Sequence, residues 1–106
     1  MFLRKCGCLF LVIKAGDPSE ELSELSSKLA PIWKNFARVL RISEEDIGII
    51  EKDHQGVVEM CYNCLLFWKR NSELCRYQFT FTGLAAALCH AVVGRRDLAY
   101  KYCYEN

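Results

Sequence analysis

The sequence predicts an all-α fold, a six-helix antiparallel bundle, on three observations. Apolar residues recur at the helical period in six separate stretches, the connections between them are short, and only two prolines and six glycines interrupt the chain. With 106 residues, the chain is long enough for one domain that buries roughly 65% of its unfolded surface. A composition of 52% apolar and 25% charged residues is that of a globular protein, not a disordered one. A net charge of +1 speaks against nucleic acid as a partner, which asks for a strongly basic face.

Residues 1–16 are set apart as an apolar N-terminal extension, with the domain proper at 17–106. Arg4 and Lys5 followed by an apolar run from Cys6 to Ile13 have the outline of a short signal peptide. Lys14 interrupts the run, the cleavage pattern is poor, and the run falls short of the about 20 residues a spanning helix needs. The preferred reading is an extension that packs on the bundle. A secreted helical protein, with residues 1 to about 15 removed, is the alternative.

The first helix is expected from Asp17-Pro18-Ser19-Glu20-Glu21, a capping side chain, an early proline and two acids, to about Ala30. Leu22, Leu25 and Leu29 form its apolar stripe, and serines 23, 26 and 27 are expected to face outward. In the second helix Pro31 suits the first helical position. Ile32, Trp33, Phe36, Ala37 and Leu40 follow as one stripe, with Lys34, Asn35 and Arg38 opposite. Ser43 caps the third helix, Glu44, Glu45 and Asp46 lie where the helix dipole favours acids, and Ile47 and Ile50 point inward.

After a turn at Asp53-His54-Gln55-Gly56, residues 57–70 make the longest helix. Val58, Cys61, Tyr62, Leu65 and Trp68 are its expected inner face. Met60, Cys64, Leu66 and Phe67 make much of the rest apolar, so this helix is expected at the centre of the bundle. Residues 71–78 form a loop. Thr80 caps a fifth helix with Phe81, Leu84, Ala85, Leu88, Ala91 and Val92 at helical spacing, stopped by Gly94. Arg95, Arg96 and Asp97 open a sixth with Leu98, Ala99, Tyr102 and Cys103 inward.

Seven cysteines, an odd number mostly in helical patterns, point to free thiols in a reducing, cytoplasmic compartment. Cys61-x-x-Cys64 is the one spacing that suggests redox or zinc chemistry, and a small thiol- or zinc-dependent protein is a second alternative. The pair sits in mid-helix, away from the helix start that activates a thiol, and no second half-site accompanies it, so core packing is preferred. His54 and His90 select no dyad. No glycine-rich phosphate loop or nucleophile elbow occurs, and neither catalysis, metal nor cofactor is expected.

Charge is distributed unevenly. Residues 43–54 hold five acids and one lysine, a balance of −4, whereas residues 69–101 hold six bases and two acids, a balance of +4. Opposite faces of this kind allow head-to-tail association of copies.

The pattern Trp33-Lys34-x-Phe36-Ala37-Arg38-x-Leu40-x-Ile42-Ser43-x-x-Asp46-Ile47-x-x-Ile50-Glu51 resembles helices two and three of the death domain. Cys61-Tyr62-x-x-Leu65-Leu66-x-Trp68-Lys69-Arg70 resembles its fourth helix. Leu84-x-x-Ala87-Leu88 and Val93-Gly94-Arg95-Arg96-Asp97-Leu98-Ala99 resemble its fifth and sixth. The resemblance covers about residues 20–103. It implies a six-helix Greek-key bundle that binds other death domains through charged surfaces in apoptotic or inflammatory signalling, as an adaptor or inhibitor and without catalysis. It implies Trp33 as the core tryptophan. By position it implies partner-binding residues Lys34, Arg38, Arg41, Glu44, Glu45, Asp46, Lys69, Arg70, Arg95 and Arg96, with Glu51, Asp53 and Arg76 nearby. The partners implied are death-domain proteins, including further copies of the chain, with no nucleic acid and no membrane insertion. Two features depart from the family: the aromatic loop Tyr77-Gln78-Phe79 ahead of Thr80, and the apolar N-terminal extension.

Overall fold

Helix boundaries in this protein are set by side chains that compete for backbone hydrogen bonds. The structure, a computed structural model, describes residues 12–105; the extension before residue 12 lies outside the described residues. A 3₁₀ turn at Ser19–Glu21 leads into α1 (Leu22–Leu29), and a second at Ala30–Ile32 leads into α2 (Trp33–Val39). Then come α3 (Glu44–Asp53), α4 (Val57–Arg70), a 3₁₀ turn at Ser72–Leu74, α5 (Phe81–Cys89) and α6 (Arg96–Tyr102). The expected all-α class is the one observed.

Asp17 starts the first turn by accepting the Ser19 N–H at 3.0 Å. Pro31 does not open α2. It lies in the 3₁₀ turn before it, and the α-helix begins two residues later at Trp33. Ser26, expected outside, is buried against the core. Its hydroxyl donates back to the Ser23 carbonyl at 2.7 Å, which satisfies it without a solvent contact.

The corner between α2 and α3 is a Schellman turn: the Ile42 N–H reaches the Ala37 carbonyl and the Arg41 N–H the Arg38 carbonyl, both at 3.0 Å. Arg41 holds the left-handed position with φ +65°, where glycine is the usual occupant. Ser43 then caps α3, its Oγ accepting the Asp46 N–H at 3.1 Å.

Helix α4 packs against α1, α2 and α3, so the expected central helix is central. Its inner face is Cys61, Cys64, Leu65 and Trp68. Val58 is not part of that face: it is 45% exposed and Val57 51%. Val58 borders a shallow groove against Ser23 and Ser27 of α1, whose short side chains do not cover it.

Trp68 is fully buried and central to the aromatic packing. Its ring meets Phe36 edge-on at 5.9 Å and Phe79 at 5.0 Å, and its Nε1–H donates to the Tyr77 carbonyl at 2.8 Å. The aromatic loop that departs from the family pattern is therefore the lid on this tryptophan. Trp33 is buried as well, at the start of α2.

Thr80 caps α5 through the Gly83 N–H at 2.9 Å. Gly83 is needed there, since a Cβ would come 1.9 Å from the Gln78 carbonyl oxygen. The helix ends at Cys89, short of the expected Ala91 and Val92, both of which are exposed. His90 turns extended and its Nδ1 accepts the Val92 N–H at 3.1 Å, a donor that a continuing helix would have given to Leu88. The Leu88 carbonyl instead accepts from Arg95 at 2.9 Å, turning the chain into α6. Leu98, Ala99, Tyr102 and Cys103 are buried as expected. Residues 12–14 clasp the chain end beyond α6: Lys14 donates to Cys103 and Glu105 to Val12, at 2.8 and 2.7 Å, around an antiparallel bridge of Ile13 with Tyr104.

Candidate interaction surface

The charged residues singled out in the sequence divide into two groups in space. On the α2–α3 side they neutralise each other. Arg38 binds Glu44 through Nε at 2.9 Å and a second guanidinium nitrogen at 3.3 Å, and Lys34 meets Glu51 at 2.6 Å. The Arg38 hydrogen bond holds the Glu44 carboxyl below the usual carboxylate range. The geometry follows from the Schellman corner, which folds the polar side of α2 beside α3. Arg95, at the entry to α6, is likewise tied to Asp97 by two bonds of 3.0 Å. Asp46 accepts from the Ser43 hydroxyl at 2.9 Å.

The second group has no ion-pair partner among the described residues: Arg41 and Glu45 near the corner, Lys69 and Arg70 at the end of α4, and Arg96 opening α6. All five are exposed. These are the charges with binding energy left for a partner, since an exposed charge already paired gains less by exchanging one counter-ion for another.

Cys61 and Cys64 are fully buried in the inner face of α4. Burial pushes the Cys61 thiol up to about 12 and Cys64 higher still. Burial likewise raises Cys103, to about 11. Such thiols stay protonated at neutral pH and pack as small core hydrophobes. Among the described residues no three His, Cys, Asp or Glu side chains converge as a metal site.

Sequence reasoning did not find a cleft between residues 14–16 and the segment ahead of α5, where Lys14 and Arg76 stand. Its walls lie about sixty residues apart in the chain, and no local spacing announces it.

The family model described as Death domain matches residues 19–102, from the first 3₁₀ turn to the last residue of α6. The chain belongs to the death-domain family. No curated protein and no solved structure gives a match. Death domains are non-catalytic interaction modules of signalling, and they typically bind other death-fold domains. In this death domain the clasp of residues 12–14 with 103–105 lies outside the matched span at both ends. No described helix is long and apolar enough to cross a membrane.

Proposed function

We propose that this death domain is a cytoplasmic, non-catalytic module that docks onto other death domains, or onto copies of itself, in apoptotic or inflammatory signalling. The role is that of an adaptor or an inhibitor. The acidic first turn of α3, led by Glu45, meets a basic surface of the partner, and Lys69, Arg70 and Arg96 meet an acidic one. The observation that carries this reading is that these opposite charges stand exposed and outside every intramolecular ion pair among the described residues. The pairs Lys34–Glu51, Arg38–Glu44 and Arg95–Asp97 shape the surface around them. Contacts of this type form a heterologous interface, through which copies add head to tail. The buried, protonated thiols fit a reducing compartment.

The test is charge reversal in pull-down from a signalling-competent lysate and in self-association by light scattering. Glu45→Lys with Asp46→Lys, or Arg96→Glu with Lys69→Glu, is expected to abolish partner capture while circular dichroism stays native. Capture that survives both reversals would remove the charged-surface mechanism.

A further inference from the structure

The cleft beside α5 gathers cations that the rest of the molecule leaves unneutralised. It measures about 570 Å³ and is bounded by Lys14 and Gly16 on one side, Arg76, Tyr77 and Thr80 on the other, and Thr82 of α5; no acidic residue lines it. Both walls are held by main-chain bonds. The Phe81 N–H donates to the Gly16 carbonyl at 3.1 Å, and the Arg76 N–H to the Leu40 carbonyl at 2.9 Å.

The two cations rest on rings instead of carboxylates. Lys14 Nζ sits 5.5 Å from the centre of the Phe81 ring and the Arg76 guanidinium 5.4 Å from that of Tyr77. Neither joins an ion pair among the described residues. Like charges gathered without partners disfavour the folded chain, and such local conflicts concentrate where a ligand resolves them.

We propose that this cleft binds an acidic peptide segment of a partner protein, with carboxylates of a Glu/Asp run seated on Lys14 and Arg76. The Thr80 hydroxyl accepts from Gly83 and so keeps its own proton to donate to the segment. The N–H groups of Phe81 and Gly83 are already taken, so recognition falls to side chains. Two cations in one cleft on a chain of net charge +1, with an acidic α3 elsewhere, fit a short acidic peptide better than the long polyanion of a nucleic acid. None of Glu45, Lys69, Arg70 and Arg96 lines this cleft, and one of its walls, residues 14–16, precedes the family match.

The test is fluorescence anisotropy of the full chain, at low salt, with a labelled ten-residue Glu/Asp peptide and its Gln/Asn counterpart. The acidic peptide is expected to bind and the amide peptide to fail. Lys14→Gln with Arg76→Gln should weaken binding about tenfold and Arg76→Gln alone about threefold, while Lys28→Gln on α1 leaves it unchanged. Arg76 is exposed and its bond to Leu40 is made by its backbone N–H, so Arg76→Gln keeps that wall in place and decides alone should the double variant lose its fold. Absence of binding, equal binding of the amide peptide, or full affinity in the cleft variants would overturn the proposal. So would a loss of affinity confined to Lys28→Gln.

Discussion

The two connections that build this death domain are made on opposite principles. Between α2 and α3 the chain turns in four residues, Leu40 to Ser43, and most of what holds the turn is local: two Schellman bonds, a serine cap and the Arg38–Glu44 pair at the surface, joined by a longer-range bond from the Arg76 N–H to the Leu40 carbonyl. Between α4 and α5 it takes ten residues, Asn71 to Thr80, and what holds it is the interior: Phe79 and the Tyr77 carbonyl closing on Trp68. The first connection therefore presents charge outward and the second supplies core. Substitutions in the second should act mainly on stability, and those in the first mainly on what the surface can bind.

The largest expected effect lies in the second region. Trp68→Ala empties the site between Phe36 and Phe79 and leaves the Tyr77 carbonyl without its donor. A loss of about 3 to 5 kcal/mol is expected, a large share of the 5 to 15 kcal/mol typical of a domain. Urea denaturation followed by circular dichroism measures it, and a loss below about 1 kcal/mol would show that the loop is not a lid.

Glycine to alanine then separates the two regions by sign. At Gly83 the new Cβ would collide with the Gln78 backbone oxygen at 1.9 Å, so the segment before α5 must shift, at about 1 to 3 kcal/mol. At Gly48, inside α3, nothing lies within 4 Å. The same substitution there should stabilise by about 0.5 to 1 kcal/mol, because the unfolded chain loses freedom and the helix loses none. Thermal melts of the two variants are expected to move in opposite directions.

That contrast also explains what could be read from residues alone. The α2–α3 corner was legible, down to the Ser43 cap and the acids behind it, because each signal lies within a few residues of its effect. The six helices were legible because their periodicity is local. The α4–α5 segment was not: nothing in Tyr77-Gln78-Phe79 states that Trp68 needs a hydrogen-bond acceptor and a ring. For the same reason nothing in the spacing of Lys34 and Arg38 states that α3 pairs with both, and the end of α5 read too long because the imidazole of His90 takes a backbone donor. Val58 read as core since its face was assigned without seeing how short the α1 serines are.

The two caps give a finer comparison. Thr80 and Ser43 each accept one N–H at the third position of a helix, at 2.9 and 3.1 Å. Thr80 is half-buried and Ser43 exposed, so water can replace only the second. Thr80→Ala is expected to cost about 1 to 2 kcal/mol and Ser43→Ala about 0.5 to 1 kcal/mol, by denaturant titration. Equal losses would mean that solvent reaches both helix starts alike.

Arg41 offers a second stabilising substitution, beside Gly48→Ala. A left-handed residue with a Cβ costs about 1 to 2 kcal/mol relative to its right-handed form, and glycine escapes that cost. Arg41 makes no ion pair among the described residues to offset it, and its exposed side chain buries no core surface. Arg41→Gly should therefore raise stability by about 1 kcal/mol, seen as a higher urea midpoint with an unchanged slope. If the variant is instead less stable, the guanidinium contributes to the fold and the corner resembles the α4–α5 segment more than its local bonds suggest. If it is more stable and binds partners less well, the arginine is kept for what it touches outside the molecule, and the strain at φ +65° is the cost of holding that charge at the turn.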